Sequence, residues 1–134
     1  MAPTNTTTGP RPEEIIDSLV TIVSTSESEV VALTCIDQDG NVEDTEVYAS
    51  SDQPKSSLPL EIIFTFPEGR GVDTVLVTSR AACSLESVAD SDIAFTRALI
   101  DAAGALGIEV QDHILVHDGE HQGLRAVTEL WDQA

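Results

Sequence analysis

The chain has 134 residues, enough for one domain with a core of its own. Its 24 acidic residues face six basic ones, and the formal net charge of −18 opposes contact with nucleic-acid phosphates and with anionic membranes. No apolar run approaches the roughly 20 residues of a membrane span, and the polar stretch Thr4 to Pro10 lacks the regions of a secretory signal, so the expected location is the cytoplasm.

Lysine occurs once, at Lys55. The acids are scattered and never form a long block, so they read as a solvated coat rather than one binding face. Such a coat also suits a high-salt, halophilic cytoplasm, where screening relieves its self-repulsion. Two cysteines, Cys35 and Cys83, do not make a disulfide framework. Cys35 lies in an apolar strand and reads as a buried thiol.

In chain order, residues 1–10 are rich in Thr and Pro and read as a disordered tail, leaving 11–134 as the domain. Ile15, Leu19, Ile22 and Val23 have helical spacing, which predicts a helix from Pro12 to about Ser24 with Glu13 and Glu14 in its first turn. Glu29 to Ile36 is a strand, nearly continuous in apolar residues and so buried on both faces. Asp37-Gln38-Asp39-Gly40 turns the chain into a partner strand, Val42 to Ala49. A calcium loop starting at Asp37 would need its twelfth-position Glu at Tyr48, so the hairpin reading stands. Ser50 to Ser57 is a polar loop. Leu58 to Phe66 is strand-like in composition, but is taken as one helix that Pro67 ends. Asp73 to Thr78 is a central strand, and a helix runs from Ser91 to Leu106 with Gly107 just past its end. Ile108 to Val116 is the next strand, Asp118-Gly119 is a two-residue hairpin turn, and Val127 to Trp131 is a short terminal helix.

The order strand, loop, long helix, strand over Val75 to Val116 carries Asp92-Ile93, Thr96-Arg97, Leu106-Gly107-Ile108 and Asp112-His113-Ile114-Leu115-Val116. These motifs resemble the RadC-like branch of the JAB/MPN metallopeptidase fold, over roughly Pro12 to Leu130. The resemblance implies an α/β fold, a single-domain three-layer α-β-α sandwich around a mixed sheet of the cytidine-deaminase-like type. In that family two histidines at a strand end and an aspartate at a helix start hold zinc, a glutamate on the earlier hairpin is the base, and a serine holds the oxyanion. Carried over, these positions are Ser79 and Ala81 for the histidines, Ala89 for the serine, Asp92 for the aspartate and Glu46 for the glutamate. Only Glu46 and Asp92 keep the expected chemistry. No histidine precedes His113, so no shift of alignment restores the pair. A hydrolytic zinc needs three protein ligands and an open position. The expectation is therefore no metal, no cofactor and no metallopeptidase activity.

The remaining candidates weigh less. Asp92 in a first turn is explained by the helix dipole, and Glu46 by a solvated strand face. His113, His117 and His121 are spaced by four but lie on strand and turn. His113 and His117 are then about 13 Å apart at about 3.3 Å per residue, and the turn puts His121 on the face opposite His117. His113, in the family's Asp-His pair, reads as a structural hydrogen-bonding residue. Cys83 would need a base and a lowered pKa to act as a nucleophile. The leading expectation is a catalytically inactive domain that binds a protein partner or itself, as metal-less members of this fold do. The alternative is a zinc-independent hydrolase rewired around Glu46, Asp92, Cys83 and His113.

Overall fold

The computed structural model describes residues 9–50 and 53–132. The disordered tail expected over residues 1–10 lies, for its first eight positions, outside the described residues. Pro10 is described, and its carbonyl accepts a hydrogen bond from the Val42 amide.

A five-stranded mixed sheet forms the middle layer, in the order β2-β1-β3-β4-β5. Its strands are β1 (Val30–Ile36), β2 (Val42–Ala49), β3 (Thr74–Arg80), β4 (Glu109–His117) and β5 (Glu120–Gly123). β1 is antiparallel to both β2 and β3, β3 and β4 are parallel, and β4 turns back antiparallel into β5. The parallel pair needs a long crossover, which α4 (Asp90–Gly104) supplies.

Side-chain alternation divides the central strands between two cores. On one face α1 (Pro12–Thr25) sets Leu19 against Ala32, Leu76 and Ile114. Val20 and Val23 of the same helix pack on Val30 and Val116. On the other face Val31, Leu33, Val75 and Val77 meet Phe95, Leu99 and Ala103 of α4, with Ile63 and Phe64 beside them. With β1 wholly buried, the predicted three-layer α-β-α sandwich is the observed fold.

The helix expected over Leu58 to Phe66 is instead two short ones, α2 (Leu60–Ile63) and α3 (Thr65–Arg70), hinged at Phe64. Pro67 does not end a helix; it is the third residue of α3. A proline there has no amide to donate to the carbonyl four residues back, which is that of Ile63. The Tyr48 hydroxyl approaches that carbonyl at 3.5 Å instead. Near the C-terminus two 3-10 turns, Leu124–Ala126 and Leu130–Asp132, flank and partly replace the helix expected over Val127 to Trp131.

Candidate functional site

β3 runs two residues further than its apolar pattern suggested, so Ser79 ends up inside the sheet, on the α4 face with Val75 and Val77. His113 pairs with Val77 across the parallel ladder and so shares that face. Above them, Asp92 and Thr96 lie one helical turn apart on α4 and point down together. The fifth participant comes from the loop after β2. Glu29 holds that loop: its backbone carbonyl accepts from the Ser50 hydroxyl and its carboxylate from the Lys55 amide. Lys55 opens a 3-10 turn, Lys55–Ser57, and its side chain runs inward.

The Lys55 ammonium lies 2.6 Å from Asp92 Oδ1, with the two side chains only 7% and 1% exposed. It donates to Ser79 Oγ at 3.0 Å and to the Arg80 carbonyl at 2.6 Å. Asp92 Oδ2 accepts from the Ala82 amide, which ties the loop after β3 to the start of α4. Asp92 Oδ1 faces the Lys55 ammonium and no other donor among the described residues, so the ion pair is its whole compensation on that side.

The protons in this cluster have one consistent arrangement. The Thr96 hydroxyl donates to the Asp92 backbone carbonyl, so Thr96 Oγ1 must accept from His113 Nδ1, 2.7 Å away. With its proton on Nδ1, neutral His113 presents Nε2 as an acceptor, and the Ser79 hydroxyl fills it at 2.7 Å. The chain therefore runs from Lys55 through Ser79, His113 and Thr96 to the Asp92 backbone, and the ion pair closes it into a ring. Burial, with the Lys55 charge added, pushes the His113 pKa well below its usual value, in keeping with the neutral ring. The Phe95 ring seals the cluster, edge-on to His113 at 5.7 Å between centroids and 5.5 Å from the ammonium.

Of the positions carried over from the resemblance, Ser79 and Asp92 meet at one point, and what lies at that point is Lys55. Ala81 is buried among Leu115 and Leu124, an apolar cluster. Ala89 is the residue before α4, where its carbonyl accepts from the Asp92 and Ile93 amides. Glu46 is exposed on the edge strand β2, with β1 between it and β3. It is not the partner of Asp92. The dipole account of Asp92 is therefore incomplete, because the carboxylate is buried and its counter-charge is Lys55. Cys83 is exposed, its thiol pointing at the Ser87 carbonyl 3.5 Å away. It shares a cavity of about 430 Å³ with Arg80 and His117 rather than with the buried His113. Val116 pairs with His121 and His117 with Glu120, so His117 and His121 face opposite ways. Ser79 resembles an activated nucleophile in its neighbours, yet it is fully buried. Among the described residues no three His, Cys, Asp or Glu side chains converge as a metal-binding group.

Sequence reasoning missed Lys55 and Thr96. The available signal was that the only lysine of a very acidic chain sits in a loop of serines.

A family model described as the RadC-like JAB domain matches residues 10–129. Among curated proteins, a UPF0758 protein of Trichormus variabilis is 49% identical over 41 residues, which is 31% of this chain and 17% of that protein. A UPF0758 protein of Trichodesmium erythraeum is 32% identical over 63 residues, 47% of this chain and 26% of that protein. The similarity thus spans about a quarter or less of the length of these relatives. With the family match running through all five strands and four α-helices of the sandwich, the chain belongs to the RadC-like JAB domain family.

Proposed function

We propose that this domain is catalytically inactive and acts by binding, either to a protein partner or to a second copy of itself. The observation that carries the reading is the Lys55 ammonium lodged between Ser79 and Asp92. Those are two of the positions where the resemblance expects ligands. A dication at that point would face a positive charge within a few ångströms, in surroundings where charges are weakly screened. The donor set is also wrong: zinc takes three protein ligands in a hydrolytic site, and here one carboxylate stands with a serine and with an alanine buried among leucines. The residues present therefore do not fit a zinc ion, and no hydrolytic step is assigned to them. The charge of −18 supports a protein partner over nucleic acid or an anionic membrane. No helix among the described residues is long and apolar enough to cross a membrane. A cytoplasmic setting, as expected from the sequence, is part of the proposal.

Metal content tests the reading. Protein purified without chelator, loaded with zinc and dialysed, should retain far less than one zinc per chain and should cleave no peptide or isopeptide substrate. One tightly held zinc per chain, with hydrolysis that depends on it, would refute inactivity. Sedimentation of the purified domain then separates the two binding modes: a dimer at micromolar concentration favours self-association, a monomer a different partner.

A further inference from the structure

We propose that Lys55 is a built-in replacement for a bound cation, and that the cage around its ammonium is a site for one small monovalent cation of the primary-ammonium class. This deepens the reading of the domain as inactive and rests on it.

Three oxygens surround the nitrogen: Asp92 Oδ1 at 2.6 Å, the Arg80 carbonyl at 2.6 Å and Ser79 Oγ at 3.0 Å. One carboxylate, one carbonyl and one hydroxyl carry a single negative charge between them, which a monovalent cation balances. Three acceptors also match the three N–H donors of an ammonium headgroup. The Phe95 ring, 5.5 Å from the nitrogen, adds a face that favours organic cations. Asp92, 1% exposed, aims Oδ1 at the ammonium, the one cation in contact with its buried carboxylate among the described residues. The cage is held from outside itself. Asp92 Oδ2 is fixed by the Ala82 amide, Ser79 by His113, and the loop carrying Lys55 by Glu29. Removal of the lysine side chain therefore leaves the oxygens in place around a hole. A recess of about 110 Å³ beside it, lined by Glu29, Pro54, Lys55, Asp92 and Phe95, gives a path inward from solvent.

The test is chemical rescue. Lys55→Ala should lower Tm by roughly 10 °C or more, because it strands a buried carboxylate. At fixed ionic strength, methylammonium to butylammonium chloride should restore a substantial part of that loss, whereas tetramethylammonium, which has no N–H donors, should not. The double variant Lys55→Met with Asp92→Asn keeps an acceptor for the Ala82 amide and removes both charges. It should fold and show no selective rescue; if Lys55→Ala does not fold in amine-free buffer, that same Lys55→Ala variant should refold when alkylammonium is present and not when tetramethylammonium is, and failure with both would overturn the proposal. Equal response to all the salts, or a Lys55→Ala protein as stable as the parent, would overturn the proposal. Its failure is distinct from that of the reading above, which falls only if the parent protein itself takes up zinc and hydrolyses a substrate.

Discussion

His113 is neutral in this fold, with its proton on Nδ1. Thr96 spends its only hydroxyl proton on the Asp92 carbonyl, which leaves an acceptor facing Nδ1, and the Ser79 hydroxyl needs an acceptor at Nε2. Burial, then the nearby Lys55 charge, depresses the folded-state pKa below the ordinary imidazole value of about 6.5. The sign follows by linkage. Above about pH 6.5 both folded and unfolded rings are neutral and the contribution of His113 to stability is complete. As pH falls below that, the unfolded ring takes up a proton that the folded ring refuses, and stability is lost at up to about 1.4 kcal/mol per pH unit until the folded pKa is reached. Ring carbon and nitrogen shifts should report the Nδ1–H tautomer, with His113 taking up its proton only well below the ordinary imidazole range. A ring that titrates near 6.5, or carries its proton on Nε2, would remove the hydrogen-bond ring described above. The sequence separated His113 from His117 and His121 and assigned it a structural hydrogen bond. Its partners were not legible, because Thr96 and Ser79 come from different elements, 17 and 34 positions away. Lys55 was hidden for the same reason: its role depends on where a loop falls, and a loop of Ser, Pro and Gln has no periodicity that fixes a direction.

Elements governed by local chemistry were legible, and those governed by one missing backbone donor were not. Asp118 and Gly119 both take positive φ, 51° and 80°, as the tight hairpin turn requires. The end of α4 was legible for a related reason. The Ile108 amide donates to the Ala103 carbonyl and the Gly107 amide to that of Gly104, the paired bonds of a Schellman ending with Gly107 in the left-handed region at φ 75°. This closure aims β4 back alongside β3, and so sets His113 opposite Val77. The space around Gly107 is open to an added methyl. Gly107→Ala should therefore cost only the left-handed conformation, about 1–2 kcal/mol, and should leave the His113 ring shifts unchanged. A neutral result in chemical denaturation would mean that the last turn of α4 re-forms without the left-handed residue. The misreading lay at α2 and α3, where the apolar run from Leu60 to Phe66 gave the right burial but not the break. Pro67 displaced the hydrogen bond of a residue four positions earlier, an effect felt upstream of the proline itself.

At the scale of the molecule, the cations serve as internal ties. Arg80 donates to the Val23 and Ser26 carbonyls and closes the C-terminal end of α1. Arg70 joins α3 to Glu43 and Asp44 of β2, and Arg125 bridges to Glu109 and the Gln111 carbonyl. Arg11 reaches the Asp39 carbonyl and Asn41 across the hairpin turn, and Lys55 is buried. Arg97 is engaged as well. The six cations leave a net charge of −18, which opposes the compact state through its own field. That repulsion acts between solvated groups, so salt screens it: the Debye length falls from about 10 Å at 0.1 M to about 3 Å at 1 M. The buried Lys55–Asp92 pair is screened far less. Stability should therefore rise with KCl and with NaCl alike, by several degrees in Tm between dilute buffer and 1 M, the gain in dispersed repulsion exceeding the loss in exposed pairs such as Arg125–Glu109. The Lys55→Met with Asp92→Asn variant should show the same rise, since its altered charges are buried. A Tm indifferent to salt would mean that the acids are spaced widely enough not to repel, and the adaptation to high salt read from the composition would fall with it.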